Sequence, residues 1–529
     1  MLIAIFLFRG LLHLSILPPF EGWDEYQHLA YIVYLDERGA LPVLGESVVP
    51  ESLRPLLIAY PHSVHDTAQT GRWGTLSYPD YWKQRQPAST ALPLPPLLLY
   101  EAQHPPLYYW LMRPVWLRLA AGDPLAALYA LRLVNVLFGA VALTIFACLL
   151  RRAIVPVLLR TIVLALVALH PLFLQNTARI ANDALAIAFE TAAVCALVLA
   201  VEGNYRARSL LAAVFVGLGI WTKQSGLVLI PVLFSGLAVI GWLRAETPRK
   251  IAATISTSLL TLALIVAPLW LFTFRHYGSI LATQEAIALN RRGATTSDLV
   301  SSALTLDWGR LFNFLVPGTV WRGGWSFVPI NADLGFCCAW VLRLLWCVGG
   351  VGAMIYLTRP WRRRESFTLF ARTHALPFAA AAICGAVVVF TLAGMVHHAL
   401  LSRMLQGETT TNFWYFMMAL PCLFLVLLQG AHVIHFRLPL IFGSVLAALF
   451  LGLELHGLFF QLAPFYAGTT DPGLMWTRLG RIHPAVPSPS QRGLYLALIG
   501  IALGGLLIFI EMARRTNAQK LAVMTDAPR

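Results

Sequence analysis

The sequence has few charged residues. Only 12% of its 529 residues are Asp, Glu, Lys or Arg, which is about half the share found in soluble proteins. Hydrophobic residues make up 58% of the chain, and its mean hydropathy is +0.69. This composition excludes an ordinary soluble domain. Because apolar runs that can cross about 30 Å of hydrocarbon recur along the chain, we predict an all-α polytopic membrane protein.

The apolar runs predict about 12 transmembrane helices, within a range of about 11 to 13. The predicted spans are 2–17, 128–150, 156–174, 183–201, 208–222, 226–243, 251–273, 336–357, 375–395, 413–430, 436–461 and 493–511. The first run ends at Pro18-Pro19 and lacks the small-residue cleavage site of a signal peptide. We therefore interpret it as an uncleaved anchor.

Cysteine is scarce, and its placement excludes a disulfide framework. All seven cysteines fall in or beside predicted spans, and none has the CxxC spacing of a zinc or redox site. The signatures of soluble nucleotide and hydrolytic enzymes are missing as well. There is no Walker sequence, no GxGxxG that opens a helix, no HExxH and no GxSxG. The cysteines are interpreted as small apolar packing residues.

Acidic residues are rare except in one stretch, and this asymmetry explains the net charge of +14. Residues 18–126 carry 11 acidic and 7 basic residues, a net −4, so the rest of the chain carries +18. Those positive charges collect in short connectors that all fall on one side of the predicted topology. This is the positive-inside pattern, which places both termini in the cytoplasm. Nucleic-acid binding is a poor explanation for such charges.

The topology places two large loops on the extracytoplasmic side, residues 18–127 and 274–335. We expect the first loop to carry membrane-surface helices, because Pro-Pro follows His104 and typically opens a helix. The two halves of the chain differ in loop length, which argues against the inverted repeats of many transporters. We divide the chain into a region 1–335, which contains both loops, and a C-terminal set of transmembrane helices, 336–529.

Two adjacent carboxylates, Asp24 and Glu25, follow the first span by a few residues, and His28 lies one helical turn further on. A helical pattern over residues 24–38 places Asp24 and His28 on one face. Ionisable residues are avoided inside the bilayer, so a cluster at its edge is more often a reaction site than a decoration. We therefore take this cluster as the candidate active site.

Five motifs in order resemble the GT-C superfamily of membrane glycosyltransferases, which includes protein O-mannosyltransferases and bacterial enzymes that use polyprenyl-phosphate sugars. The motifs are Asp24-Glu25 after the first span, His104-Pro-Pro-Leu-Tyr108-Tyr, Arg179-Ile-Ala-Asn182-Asp183-Ala-Leu, Gly217-Leu-Gly-Ile-Trp-Thr-Lys223 and Trp321-Arg322-Gly-Gly-Trp325. The resemblance is best over residues 1–335. The chain departs from the pattern at Gln406-Gly407-Glu408, where many relatives have Gln-Gly-Arg-Tyr.

The resemblance implies an enzyme of the glycosyltransferase class (EC 2.4, hexosyl or pentosyl transfer). It would move a sugar, with inversion, from a polyprenyl-phosphate donor to a hydroxyl of a glycan, lipid or protein acceptor. The implied location is the extracytoplasmic face of a bacterial inner membrane, with the lipid bilayer as partner and no nucleic acid. Beside Asp24 and Glu25, the implied donor-binding residues are His28, His104, Tyr108, Arg179, Asn182, Asp183, Lys223, Arg322 and Trp325.

Transfer from such a donor needs a base for the acceptor hydroxyl, and a positioned carboxylate contributes about 10²–10⁴-fold. Asp24 is our candidate for this base, and Glu25 would orient the acceptor or the sugar hydroxyls. The alternative is that Asp24 only caps the helix that follows, since Asp is a favoured N-cap. Capping requires neither the adjacent Glu25 nor the membrane edge, so the reaction site is favoured.

Transfer also needs cations that stabilise the leaving phosphate. Lys223 is one of four lysines among 39 basic residues, and it lies in an outer turn where positive-inside logic disfavours a cation. It is a candidate phosphate clamp, or else a snorkelling lysine at a helix end. Arg179 has a similar position and a similar alternative. Asn182-Asp183 either contacts sugar or caps the next span, and capping is the favoured role.

Several roles stay open from the sequence alone. His28 and His104 either contact the carboxylates or donor phosphate, or are hydrogen-bonded packing residues. With Asp24 and Glu25 they could also hold a divalent cation, which some GT-C enzymes use and others do not. Trp325 and its neighbouring tryptophan either stack on sugar or belong to the interfacial aromatic belt.

Two other classes of function remain as alternatives. A transporter of lipid-linked sugars should place paired charges near the bilayer midplane, and Glu190 with the pair Glu454 and His456 points that way. A non-catalytic GT-C-like assembly protein is kept open by the missing Arg-Tyr pair.

Overall fold

The computed structural model describes residues 1–84, 95–154, 156–315, 320–362, 366–409, 411 and 413–483, with scattered residues between 493 and 511. These described parts are helical and contain no strand. Isolated bridges pair Val48 with Leu98 and His62 with Ser77 within the first large loop. The predicted all-α class is confirmed for this part of the chain.

The helices of the first half include the elements that surround the candidate site. They are α1 (Leu2–Leu14), α2 (Glu25–Arg38), α3 (Arg54–Ala59), α4 (Val64–Thr70), α5 (Tyr78–Trp82), α6 (Leu107–Ala120), α7 (Pro124–Ala153), α8 (Val157–Leu169), α9 (Pro171–Thr177), α10 (Asp183–Leu199), α11 (Tyr205–Thr222) and α12 (Leu229–Leu243). A 3₁₀ turn, Gln224–Val228, joins α11 to α12.

The helices of the second half follow the same plan of long apolar helices and shorter amphipathic ones. They are α13 (Pro248–Tyr277), α14 (Gln284–Arg291), α15 (Thr296–Leu304), α16 (Trp308–Leu315), α17 (Ala332–Arg362), α18 (Phe367–Thr373), α19 (Ala375–Gln406), α20 (Leu420–Ile434), α21 (Leu438–His456), α22 (Ala463–Ala467) and α23 (Pro472–Ile482). A π-helical turn, Gly457–Leu462, makes α21 and α22 continuous.

Six helices of the described residues are long and apolar enough to cross a membrane, or seven if the bent pair α8–α9 is one span. The chain is therefore a multi-pass membrane protein. Eleven of the predicted spans coincide with helices. Nine of these are the six long spans, the bent pair and the shorter apolar helices α1 and α20, and the other two are α10 and α11. Most of the span predicted at 493–511 lies outside the described residues. The count of about 12 spans stays a prediction.

Proline ends two of these helices inside the protein, and buried arginines bind the carbonyls that are left without helical partners. Pro171 bends α8 against α9 by 56°. Arg9 of α1 is 1% exposed and donates to the carbonyls of Ala168 and Leu169 at the end of α8. Arg9 also pairs with Glu454 of α21. The sequence interpretation that Glu454 pairs with His456 was wrong, because Arg9 is its partner.

Close helix packing in the second half depends on glycine. A Cβ atom on Gly352 of α17 would overlap the carbonyl of Gly430 in α20, and one on Gly430 would overlap the carbonyl of Gly349. Membrane helices approach this closely where small residues face each other. These two helices form part of the main apolar core, which also includes α7, α8, α10 and α12. The first large loop has a core of its own, built on α2 and α6.

Candidate active site

The segment between α1 and α2 is held from below by Arg132 of α7. Its guanidinium is fully buried and donates to the carbonyls of Leu17 and Pro18, at 2.7 Å each. These carbonyls follow the end of α1, where Pro18-Pro19 prevents further helical hydrogen bonding. Sequence reasoning did not select Arg132. The signal was available, because a charged residue inside a predicted span is itself a candidate functional residue.

Glu25 is the other partner of Arg132. Its carboxylate is 0% exposed and accepts from Arg132 Nε at 2.7 Å and Nη2 at 2.5 Å. The backbone amides of Ile180 and Gly22 also donate to it, at 2.9 and 3.3 Å. Each carboxylate oxygen thus accepts two donors. Glu25 ties α2, α7 and the segment before α10 together, and no oxygen of it is left open to solvent.

Asp24 has a different environment, although it is the adjacent residue. It is partly exposed, and its Oδ1 accepts a hydrogen bond from the Tyr100 hydroxyl at 2.7 Å. Asp24 precedes α2, but its side chain makes no capping hydrogen bond. The capping alternative is therefore not what the structure shows. Its φ of 55° lies in the left-handed region, which costs a non-glycine residue free energy and occurs often at functional sites.

Burial and the neighbouring Glu101 carboxylate raise the pKa of Asp24 to about 7. The hydrogen bond from Tyr100 and the charge of Arg179 act in the opposite direction. A carboxylate with this pKa is ionised in part of the molecules near neutral pH and can exchange a proton there. Asp24 thus combines access with the proton affinity that a general base needs.

Tyr100 and the two residues that hold it were not selected from the sequence. The backbone amide of Tyr100 donates to Gln27 Oε1 at 2.9 Å, and its carbonyl accepts from Gln284 of α14 at 2.8 Å. The next residue, Glu101, pairs with His104 Nε2. The end of the first large loop is in this way fixed to both α2 and the second large loop, with the Tyr100 hydroxyl aimed at Asp24.

The rings of His28 and His104 stack on each other, with centroids 5.7 Å apart. Nδ1 of His28 is 2.8 Å from the hydroxyl of Tyr109, whose ring stacks on Tyr31 at 3.7 Å. Burial lowers the pKa of His28 well below its usual range, and His104 acts in the same direction. His28 is therefore a neutral imidazole at physiological pH.

Tyr108, the other predicted aromatic residue of this segment, lies deeper. It is 0% exposed, and its hydroxyl accepts from Asn135 Nδ2 of α7 at 2.8 Å. Asn135 also donates to the carbonyl of Arg179. Tyr108 thus supports the backbone beside the site, and its ring is closed to solvent.

Arg179 contacts Trp23, the residue that precedes Asp24. Its guanidinium donates to the Trp23 carbonyl at 2.7 Å, and it lies over the Trp23 ring with 4.6 Å to the centroid. It also donates to Asn176 Oδ1 at 2.7 Å and to Asp183 Oδ2 at 2.9 Å. Arg179 is 3% exposed. The interfacial-anchor alternative fits poorly with this burial.

Asp183 bridges the two predicted cations. Its Oδ1 accepts from Lys223 Nζ at 2.5 Å, while Oδ2 accepts from Arg179. Lys223 is 7% exposed, so it does not snorkel into solvent. Two cations share one carboxylate, so this cluster of Arg179, Lys223 and Asp183 keeps a net charge of +1. We refer to it as the cationic cluster.

Asn182 does not have the predicted capping role. It precedes α10 with helical dihedrals, and its side chain makes no capping hydrogen bond. Instead its Nδ2 donates to the carbonyl of Thr222 at 3.1 Å, next to Lys223. The capping interpretation was wrong because α11 ends against α10 here, and Asn182 binds the carbonyl that this end leaves free.

The C-terminal half contributes a 3₁₀ turn, Phe413–Phe416, that sequence reasoning missed. Trp414 stacks on Trp23 with 5.0 Å between centroids, which places the turn beside Asp24. The ring of the partly exposed Tyr415 lies 5.4 Å from Lys223 Nζ. Because Trp414 stacks on Trp23 and Tyr415 lies near Lys223, the turn approaches both the segment of the candidate base and the cationic cluster.

The Trp321–Trp325 motif packs against the segment that carries Asp24. Gly323 and Gly324 have φ of 67° and 68°, and a Cβ atom on Gly324 would lie 2.7 Å from Glu21 Oε2. The backbone of this Gly-Gly turn therefore lies close to the side chain of Glu21. Trp325 is 6% exposed, so neither face is open as a sugar platform. Arg322 lies in the same turn and is partly exposed, and burial lowers its pKa.

Within the described residues, no group of three or more His, Cys, Asp or Glu side chains has the arrangement of a metal site. The buried carboxylate of Glu190, two turns below Asp183 in α10, lines a small internal cavity with Thr191, Phe146 and Met418.

Solved structures with similar folds include two proteins. The oligosaccharyltransferase AglB from Archaeoglobus fulgidus, solved with an inhibitory peptide and a dolichol-phosphate, is 13% identical with a TM-score of 0.42. That match covers 87% of this chain and 55% of AglB, so the chain spans about half of AglB. ArnT from Cupriavidus metallidurans, solved bound to undecaprenyl phosphate, is 13% identical with a TM-score of 0.38, covering 91% of this chain and 76% of ArnT.

No family model matches the sequence, and no curated protein sequence matches it significantly. At 13% identity and TM-scores below 0.5, neither AglB nor ArnT assigns a substrate or a residue role to this chain.

Proposed function

We propose that the chain is a membrane glycosyltransferase that moves a sugar from a polyprenyl-phosphate carrier to an acceptor hydroxyl. The observation that carries this proposal is one accessible carboxylate, Asp24, beside a buried cluster of net charge +1. Arg179 joins the two, because it binds the backbone of Trp23 and the side chain of Asp183. Arg179 thus connects the segment of the base to the anion-stabilising charge.

The residues support a direct displacement. Asp24 takes the proton of the acceptor hydroxyl as its oxygen bonds to the anomeric carbon. The bond from that carbon to the phosphate oxygen breaks, and its electron pair stays on the phosphate. The phosphodiester donor has one negative charge, and the polyprenyl phosphate that leaves has up to two. Lys223 and Arg179 stabilise the added charge, which is the usual role of preorganised cations.

The pKa of Asp24 fits the return of the proton. A base near pH 7 accepts the proton during transfer and releases it again without a large barrier. A phosphate monoester has its second pKa near about 6. The proton from Asp24 can therefore leave with the lipid phosphate or with water, and the site returns to its starting charge.

We assign Glu25 to positioning, not to contact with sugar or acceptor. Its four donors already occupy both oxygens, and moving it would leave Arg132 as an uncompensated buried charge. Tyr100 is the group that touches the candidate base itself. We assign the stacked pair His28 and His104 to contact with the donor phosphate.

The proposal includes the sidedness that the charge pattern predicts. Both termini lie in the cytoplasm, about 12 helices span a bacterial inner membrane, and the site faces the extracytoplasmic side. Region 1–335 supplies the base and the cations, while helices of region 336–529 supply the Tyr415 turn. A lipid-linked donor suits this location, since cytoplasmic nucleotide-sugars do not reach it.

The test is a transfer assay with purified protein in liposomes that contain radiolabelled polyprenyl-phosphate sugars and cell-envelope acceptors. We expect the wild-type protein to label an acceptor and Asp24→Asn to lose at least about 10²-fold of that rate. The matched control is Asp123→Asn, which changes an exposed carboxylate and keeps the oxygen that caps α7. It should transfer at the wild-type rate.

Two results would reject the proposal. One is labelled donor that moves between leaflets without any acceptor becoming labelled, which is the behaviour of a transporter. The other is full activity of Asp24→Asn. Accessibility of a cysteine placed at position 24 tests the sidedness separately, because a membrane-impermeant reagent should reach it only from the extracytoplasmic side.

A further inference from the structure

The two large loops meet in a buried polar contact that we call the loop latch. It consists of Glu21, His62 and Asp66 from the first loop and Trp325 and Ser326 from the second. Trp325 Nε1 donates to Asp66 Oδ1 at 2.6 Å, and the Trp325 amide donates to the Glu21 carbonyl at 2.8 Å. The Ser326 hydroxyl donates to Glu21 Oε1 at 2.6 Å. Apart from the partly exposed Ser326, its members are buried.

The loop latch is connected to Trp23, the residue that precedes the candidate base. Trp23 Nε1 donates to the carbonyl of Gly324 at 3.0 Å, so the turn before Trp325 holds the residue before Asp24. Trp23 is also the residue that Arg179 and Trp414 contact. If the second loop undocks, the Trp23 side chain loses one of its three fixed contacts. Docking of the second loop therefore bears on where Asp24 lies.

One proton in the loop latch is unaccounted for. His62 Nε2 lies 2.9 Å from the carbonyl of Leu57, and a carbonyl only accepts, so Nε2 carries a hydrogen. His62 Nδ1 faces Asp66 Oδ2 at 3.8 Å, and neither atom has a hydrogen-bond partner among the described residues. His62 is 0% exposed and Asp66 1% exposed. Without a further proton, the lone pairs of His62 Nδ1 and Asp66 Oδ2 would face each other in the protein interior.

We propose that Asp66 is a positioning residue that docks the second large loop through Trp325, and that docking requires one proton shared by His62 and Asp66. With the proton, His62 Nδ1 and Asp66 Oδ2 share one hydrogen, and the pair has zero net charge. Without it, the site keeps a buried negative charge with an unpaired oxygen, which is costly. The hydrogen bond from Trp325 then has to hold that charge alone.

Among the titratable groups that face Asp66 in the described part of the chain, only histidines can be positive. These groups are His62 and His65 of its own segment, Glu21 and Asp24 from the segment after α1, Tyr26 of α2, and Tyr100. Burial raises the pKa of Asp66, while His62, Trp325 and His65 oppose the rise. The Asp66 carboxylate therefore holds a proton to a higher pH than an exposed aspartate does, and loses it as the pH increases further.

The segment that carries His62 and Asp66 is itself fixed in place. The Ser63 hydroxyl accepts from the Asp66 amide at 3.0 Å, and this cap begins α4. The ring of His62 stacks on Phe20 with 4.9 Å between centroids. His62 and Asp66 are thus held in place by their own segment, and the contact free to open is the one with Trp325.

Hydrogen exchange of residues 320–330 in the full-length protein, in lipid nanodiscs without substrate, tests the proposal. After correction for the intrinsic rates, we expect wild-type protection to fall by about 10-fold between about pH 6 and about pH 9. Asp66→Asn should keep its protection over this range. Its amide oxygen still accepts from Trp325, and its NH₂ donates to His62 Nδ1 without a titrating proton.

A second variant separates docking from titration. His62→Phe keeps the stack on Phe20 but removes Nδ1, which faces Asp66 Oδ2, so residues 320–330 should be less protected than in the wild-type protein at about pH 6. His276→Gln, a change at an exposed histidine in the last turn of α13, should follow the wild-type curve. Glu21 also titrates, since burial raises its pKa to about 7. The Asp66→Asn curve distinguishes the two groups, because Glu21 is present in both proteins.

Two results would overturn the proposal. One is wild-type protection that does not change with pH. The other is a pH dependence in Asp66→Asn equal to that of the wild-type protein, which would assign the titration to Glu21. The exchange is measured without donor or acceptor, so failure of the transferase assignment leaves this test valid. Failure of the loop latch likewise leaves the transfer assay unaffected.

Discussion

Two adjacent carboxylates open α2, and their surroundings are opposite. Glu25 is sealed against Arg132 with four donors on its two oxygens. Asp24 is partly exposed, accepts one hydrogen bond from Tyr100, and has a pKa raised to about 7. One carboxylate has a fixed charge and no access, and the other has access and an adjustable proton.

The difference follows from the direction in which each side chain leaves the backbone. The left-handed φ of Asp24 turns the chain just before α2. The Asp24 side chain therefore faces Tyr100, while that of Glu25 faces Arg132. The proximity of two acidic residues in a sequence therefore does not make them a catalytic pair. One of them anchors the segment, and the anchored segment presents the other.

The largest effect that would sharpen this comparison is the loss of stability in Glu25→Gln. The substitution leaves the buried Arg132 charge uncompensated, and we expect the free energy of unfolding to fall by about 3–5 kcal/mol. Denaturant or thermal unfolding of the detergent-purified protein measures it. The double variant Glu25→Gln/Arg132→Gln should recover part of the loss. A stable but inactive Glu25→Gln would instead give Glu25 a chemical role.

The next effect concerns the cationic cluster. Lys223→Met removes one of the two cations around Asp183, and a hydrogen bond to a charged group contributes about 1.5–3 kcal/mol. We expect the donor concentration for half-maximal rate to rise by about 10- to 100-fold. Lys250→Met is the matched control, because Lys250 is an exposed lysine paired with Glu246. An unchanged donor dependence in Lys223→Met would remove Lys223 from the donor site.

The pH dependence of transfer tests Asp24 more finely. A base must be ionised, so the rate should fall about tenfold per unit of pH below about 7. Tyr100→Phe removes a hydrogen bond that lowers the pKa of Asp24, so this limb should move to higher pH. Glu101→Gln removes a charge that raises it, so the limb should move to lower pH. Rates measured over a pH series would contradict the account if both variants moved the limb the same way.

The smallest effect on stability and activity is expected at Asp123, a carboxylate with neither the accessible setting of Asp24 nor the buried setting of Glu25. Asp123 caps α7 by accepting from the amides of Leu125 and Ala126, at 2.9 and 3.1 Å. Asp123→Ala should cost about 1 kcal/mol of stability and leave the transfer rate unchanged. Thermal unfolding and the transfer assay check both parts. A large loss of activity would mean that any carboxylate near the first loop affects the site.

Most of the helices were predictable because hydrophobic runs and prolines are local signals. The helix over residues 24–38 appears as α2, and Pro18-Pro19 ends the first helix as expected. The arginines that bind the ends of α1 and α8 were not predicted. Their partners lie more than 100 residues away in sequence, as in the bond from Arg132 to Leu17. Only tertiary packing brings them together.

Part of the candidate site was also predictable. Asp24, Arg179 and Lys223 were selected because charge at a membrane edge is unusual, and Arg179 and Asp183 link them in the structure. Glu25 looked equivalent to Asp24, since no sequence pattern shows which of two neighbours faces a buried arginine. Tyr100 and Tyr415 carry no motif of their own. Tertiary packing brings one against Asp24 and the other against Lys223.

The most direct test of the central claim compares Asp24→Asn with the wild-type protein above pH 7. Two quantities are measured, the transfer rate per folded molecule and the unfolding temperature. The pKa of Asp24 is higher in the folded protein than in the unfolded chain. Ionisation of Asp24 therefore lowers the stability of the fold as the pH rises from 3.8, the unfolded value, to about 7. Asp24→Asn is therefore expected to be at least as heat-stable as the wild-type protein, with transfer reduced by about 10²-fold or more. A variant that is less stable yet fully active per folded molecule would contradict the account.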